Sequence, residues 1–209
     1  MDDKRSPSNL RLIGGELCLD FANTVDWHAS EHPVDWLTTY EALLAWGQHA
    51  GILTESEVQQ LALTASARPQ EAAAALRRAI ELREAIYRIF VATVRGEQSD
   101  PNDLAILKAA LTEAMAHARL VQHENGFAWE WTDAESAERV RWAVARSAAE
   151  LLTSDRLDRV RQCAFDRCGW LFVDNSRNRS RRWCVMEDCG NRAKARRYYR
   201  RQKAGQKAS

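Results

Sequence analysis

Four of the five cysteines in this chain lie between positions 163 and 189, spaced C-x4-C-x15-C-x4-C as Cys163, Cys168, Cys184 and Cys189. Two close pairs joined by a span able to fold back on itself match the geometry of a tetrahedral four-thiolate zinc site. No other feature constrains the fold as much, because it brings four separated backbone positions around one point. The body before the pairs holds a single cysteine, Cys18. Two structural disulfides and a redox switch on the same thiols are the competing readings. Disulfides require an oxidising compartment, and the opening MDDKRSPSNL carries no apolar signal segment. Cytoplasmic location, reduced thiols and zinc are therefore expected. With four sulfur ligands and no histidine nearby, the site reads as closed, so one structural zinc per chain is expected and a catalytic one is not.

The formal net charge of +1 conceals a division. Residues 1–155 carry 14 Lys/Arg against 24 Asp/Glu, a net of −10, and residues 156–209 carry 16 against 5, a net of +11. Such asymmetry points to a polyanion-binding end joined to an acidic body. A solvated tail, or one docked on its own acidic body, is the plain alternative. No apolar run approaches the roughly 20 residues needed to span a bilayer, so no membrane association is expected.

Along the body, Leu12–Val25 reads as a short strand entered through Gly14-Gly15, with Leu17, Leu19 and Phe21 alternating with Cys18 and Asp20. A polar loop over 26–33 precedes a helix expected from Asp35 to Gly51. Thr54-x-x-Glu57 is a capping box opening the next helix. Pro69 begins the longest helical pattern, which runs to Arg95 and is closed by Gly96. Another helix follows Asp100-Pro101. Runs at Leu120–His123 and Phe127–Trp131 flank Asn125-Gly126, the signal of a hairpin. Thr132-x-x-Glu135 reads as a second capping box for the helix carrying Val140, Val144 and Leu151.

From Arg156 the pattern predicts a knuckle over Val160–Cys168, a short strand at Trp170–Val173, a polar turn, and a helix from Asn191. The fold class expected is mainly α (α+β): a multihelical N-terminal domain with a small β element over 10–154. A treble-clef-like four-cysteine zinc module over 157–203 then ends the chain in a basic helix. A segment near 50 residues cannot build an adequate core alone, so metal contributes much of its folding energy. Arg177, Arg179, Arg181 and Arg182 are placed at a hairpin tip. Arg192, Lys194, Arg196, Arg197, Arg200 and Arg201 lie along the helix, where a spacing of four puts Arg192, Arg196 and Arg200 on one stripe. Arginine suits bidentate contact with phosphate or guanine edges. Trp183, Tyr198 and Tyr199 are expected to pack the helix on the metal core, with stacking on bases as the alternative.

The stretch from Leu157 to Lys203 resembles the CGNR zinc-finger domain. The resemblance is carried by Cys189-Gly190-Asn191-Arg192, the spaced cysteines, Phe172-x-Asp174, the Ser180–Cys184 run and Met186. The body resembles the ABATE domain through Leu19-Asp20-Phe21-x-Asn23-Thr24 and Ser147–Leu152. That resemblance implies zinc on the four cysteines, DNA binding by the C-terminal module and a role in transcription regulation.

Asn23, Thr24, Asp26, His28 and His32 gather after the first predicted strand. They are candidates to line a small-molecule pocket, against the plainer reading that they cap a helix or satisfy buried backbone groups. Pro33 and the loop setting argue against metal on His28 and His32. Cys18 reads as an inert buried thiol. No nucleotide-binding loop, nucleophile elbow, H-E-x-x-H or zinc-deaminase pattern occurs, and an enzyme is not expected. The leading function is a DNA-binding transcription regulator whose body senses an effector or forms a homodimer. An RNA-binding or protein-docking zinc module is the alternative, and an enzyme built around Asn23 and His28 is the third.

Overall fold

The computed structural model describes residues 5–124 and 126–206, and within them the side chains of all but 200, 201 and 204–206. Helix α1 (Leu17–Ala22) opens the body and corrects the strand expected there. Cys18, Leu19, Phe21 and Ala22 are all at most 1% exposed, so this short helix is apolar on nearly every side. A helix with no solvated face shows no 3.6-residue period and is easily taken for an alternating strand. Its polar member, Asp20, accepts the Gly14 N–H at 2.7 Å, which folds the leader back over it.

Strands β1 (Val25–Asp26) and β2 (Val34–Asp35) form a two-residue antiparallel ladder. Helix α2 (Tyr40–His49) starts five residues after the position expected. Asp35 belongs to β2, and Thr39 is the cap, accepting the Ala42 N–H at 3.1 Å. Helices α3 (Glu55–Ala67), α4 (Pro69–Arg95) and α5 (Pro101–Ala116) begin where the sequence signals place them, and α4 also ends where expected. The Thr54–Glu57 capping box is reciprocal, and Gly96 closes α4 with a left-handed φ of 70°.

The hairpin is β3 (Ala118–His123) and β4 (Gly126–Trp131), with Asn125 outside the described residues. The second capping box does not form. Thr132 instead bonds the His117 carbonyl through its N–H at 2.8 Å and its hydroxyl at 3.1 Å, closing the base of the hairpin. Helix α6 (Arg139–Leu152) starts later, with no side-chain cap at Glu138. In the core, α1 packs between α4 and α6, and Phe21 and Trp46 meet at 4.9 Å between ring centres. Among the described residues no helix is long and apolar enough to cross a membrane.

The C-terminal module is not set apart from this core. Strands β5 (Val160–Gln162) and β6 (Leu171–Val173) pair antiparallel, and Val160, Leu171 and Val173 are buried in the same cluster as the body helices. Because side chains alternate along a strand, Phe172 faces the other way, into a second cluster with Trp170 and the four cysteines. One three-residue strand thus serves two cores. Helix α7 (Asn191–Gln206) follows a π turn over Met186–Gly190. Mainly α with small β pairs, and a cysteine cluster before a final helix, is the class that the sequence predicts.

Candidate zinc centre and nucleic-acid interface

The β5–β6 hairpin carries the first cysteine pair at its turn. Cys163 donates its N–H to the Trp170 carbonyl at 2.8 Å, and Cys168 donates to Phe165 O at 2.9 Å, which closes the knuckle. Gly169 makes the tight return at φ +77°. A side chain there would collide with the Ala29 nitrogen at 2.8 Å and the Tyr87 hydroxyl at 2.9 Å, so glycine is required twice over. The second pair arrives through a ten-residue loop held by Asp174. Its buried carboxylate accepts the Ser176 N–H at 2.9 Å, the Ser176 hydroxyl at 2.6 Å and the Arg181 N–H at 3.0 Å.

All four sulfurs lie within 4.8 Å of one another, and no disulfide links them. The Cys168–Cys184 and Cys184–Cys189 separations are 3.6 and 3.5 Å. A tetrahedron with Zn–S bonds of about 2.3 Å has edges of about 3.8 Å, so the residues fit the ion. Contacts among the thiols draw Cys163 far down, chiefly through Cys168, and push Cys168 and Cys184 up, chiefly through Cys163. A divalent cation removes that conflict by stabilising all four thiolates together. The Cys184 N–H points at Cys163 Sγ at 3.4 Å, a further stabilising dipole. The cysteines are buried and their set is complete, so the zinc is structural.

The Cys-Gly-Asn-Arg segment then launches α7. Gly190 lies against Met186, whose sulfur occupies the space where a Cβ would go. Asn191 donates its side-chain amide to the Glu187 carbonyl at 3.0 Å, satisfying an acceptor of the π turn. Arg192 pairs with Asp188 at 2.6 Å, and its guanidinium sits 5.0 Å from the Trp27 ring centre. Trp27 holds a left-handed φ of 57°, strained for a bulky residue, and also meets Phe165 edge-on at 6.1 Å. A body loop and the finger therefore clasp each other through one indole.

The basic residues expected to face nucleic acid are placed differently from one another. Lys194 and Arg197 are exposed on α7 without an ion-pair partner among the described residues, and Arg196 pairs with the exposed Asp166. The side chains of Arg200 and Arg201 lie outside those described. Arg177 is exposed, and Arg179 pairs with Asp158 at 2.5 Å. Arg182 lies 5.4 Å from the Trp183 ring centre. Arg181 turns inward, bonding the Cys184 carbonyl at 2.5 Å and stacking 4.1 Å from the Phe172 ring centre. The hairpin tip assigned to these arginines is corrected: no strand follows β6 among the described residues, and they sit on the Asp174-centred loop. Trp183 packs on the metal cluster as expected. Tyr198 and Tyr199 do not, being 60% and 65% exposed.

The loop after α1 has a structural task. Asn23 is 3% exposed and its amide spans the Leu171 backbone, donating to O and accepting from N–H, both at 2.8 Å. Thr24 bonds Phe21 O at 2.8 Å and receives Arg83 at 3.3 Å. His28 meets the Tyr87 ring at a tilt of 49°, 3.6 Å between ring centres, and meets Glu84 at 2.9 Å, while His32 is exposed. These groups do not converge on one pocket. Asp26, paired with Arg5 at 2.7 Å, borders a cleft of about 610 Å³ shared with Leu10, Trp27, Trp170 and Arg192, and His32 borders a separate one. Elsewhere in α1, burial raises the Cys18 thiol to about 12, which fits an inert core thiol. The residues that hold finger to body are visible in the sequence only as a ligand candidate (Asn23) or not at all (Gly169, Tyr87), because their partners lie far away in the chain.

Residues 15–155 match the family model of ABATE, described as "Putative stress-induced transcription regulator", and residues 159–202 match the CGNR zinc finger. No curated protein matches the chain.

Proposed function

Since the chain belongs to the ABATE family and carries a CGNR zinc finger, we propose that it is a transcription regulator that binds DNA through the zinc-pinned helix α7. The observation that supports this most directly is the net +11 after residue 155, with seven of its Lys/Arg residues on a helix whose start is fixed by Cys189. Lys194, Arg196 and Arg197 extend into solvent from a rigid base, the arrangement suited to phosphate contacts beside a groove. The role is one of binding, not catalysis. The body supplies the regulatory input, and the cleft bordered by Asp26 and Arg192 is a place where a small effector would touch both parts. Such an effector regulates only if its affinity differs between DNA-competent and incompetent states.

Binding of duplex DNA by the zinc-loaded protein is measured across a salt series. Substituting Arg192 and Arg196 together by Ala should weaken binding and flatten its salt dependence by about two in slope. Undiminished binding by the double variant would remove α7 from the interface. Preference for structured RNA at matched salt would replace the DNA reading with the RNA-binding one.

A further inference from the structure

The knuckle between β5 and β6 brings to the surface of α7 an arginine outside the set above. Arg167 precedes the ligand Cys168, is exposed, and has no ion-pair partner among the described residues. It lines a groove with Phe165, Arg192, Arg196, Tyr199 and Lys203. Positions 192, 196, 199 and 203 are separated by four, three and four residues, so they share one helical face. At 1.5 Å per residue that face runs for about 16 Å. The groove continues through Phe165, Arg167 and Arg192 to Trp27 and His32, so a loop of the body forms its far wall.

Two cations of the groove carry carboxylate partners. Arg192 is held by Asp188 and Arg196 by Asp166, and every member of these pairs is between 41% and 57% exposed. Ion pairs so exposed contribute little to stability and exchange partners readily. A carboxylate on a guanidinium fork presents the same paired acceptor oxygens as a phosphate.

We propose that this groove is the track of one DNA phosphate backbone, with Arg167 as a phosphate contact and Asp166 and Asp188 as internal stand-ins displaced by the phosphates. The proposal rests on the DNA-binding reading and adds where the strand runs. Charge complementarity selects the occupant: Arg167 and Lys203 bring cations without acidic partners among the described residues, and displacement frees two more. The aromatic walls, Phe165 and Tyr199, fit the apolar sugar edges between phosphates.

The test is fluorescence anisotropy of a labelled DNA duplex with the full-length, zinc-loaded chain over a salt series. Arg167→Ala should weaken binding several-fold and reduce the salt slope by about one. Asp166→Asn should tighten binding two- to ten-fold at low salt, the opposite sign, because it removes a competitor of phosphate. Lys108→Ala, at an exposed position of α5 that does not line the groove, changes net charge as Arg167→Ala does and serves as the comparison. If the wild type binds no DNA, the DNA-binding reading itself falls. If the wild type binds while Arg167→Ala and Asp166→Asn both behave like Lys108→Ala, the groove is refuted and DNA binding stands. Weaker binding by Asp166→Asn refutes the stand-in role. Zinc content measured on each sample separates these outcomes from loss of the fold.

Discussion

Replacing Asn23 by Ala tests the joint between finger and body. The side-chain amide spans Leu171, and both Leu171 backbone groups lose their partner when it is removed. Leu171 is 0% exposed, so neither group reaches bulk water. Each buried, unsatisfied group costs about 1–3 kcal/mol, which makes about 2–6 kcal/mol for the pair. For a chain of this size 1 kcal/mol corresponds to about 2–4 °C, so Tm should fall by at least about 4 °C. Asn23→Asp keeps an acceptor for the Leu171 N–H but sets a carboxylate against its carbonyl, and should be no better tolerated. Thermal unfolding followed by circular dichroism and by tryptophan emission reads the loss. Both probes should shift together, because β6 belongs to the body core and the metal cluster alike. A fall below about 2 °C with full zinc occupancy would refute this reasoning and return Asn23 to the role of a ligand contact.

Zinc removal and pH give two further tests. Chelation should strip one zinc per chain, melt the finger and lower the helical signal of α7, since the cluster behind it consists of the cysteines with Trp170 and Phe172. Unchanged spectra in a sample shown by mass spectrometry to be metal-free would contradict a structural role. Burial raises the Asp20 carboxyl to about 6. Its contribution to stability is then fully present below pH about 4 and is lost as pH rises through about 6. The stability of Asp20→Asn relative to wild type should therefore rise between pH 4 and 7.5, by at most about 3 kcal/mol, in paired denaturant titrations. A flat difference would place Asp20 in water.

Local signals in the sequence were read correctly where one residue decides a local event. Gly96 ends α4 because only a left-handed residue can, and Thr54 with Glu57 starts α3 because two backbone donors need acceptors. The ligand spacing belongs to the same class, since four thiols near 163–189 have few ways to meet. Errors arose where burial erased the pattern, as in α1, or where a distant acceptor won, as when the His117 carbonyl captured Thr132 from its expected capping role. Asn23 shows how a structural contact resembles a binding candidate in the sequence. A polar residue at the end of an apolar segment looks alike whether it awaits a ligand or a strand 148 positions away. Nothing local in the sequence says that Arg167 of the knuckle and the residues of α7 share a surface.

The two family models stop and start within residues 155–159, as if the finger were a detachable cassette. Strand β6 contradicts that. A finger transplanted onto another body would carry Leu171 and Val173 uncovered and leave the slot beside Gly14 and Asn23 empty. Exchange between lineages therefore has to trade both halves of the seam together. The seam also runs without a break from the body core through β6 to the metal cluster and the start of α7.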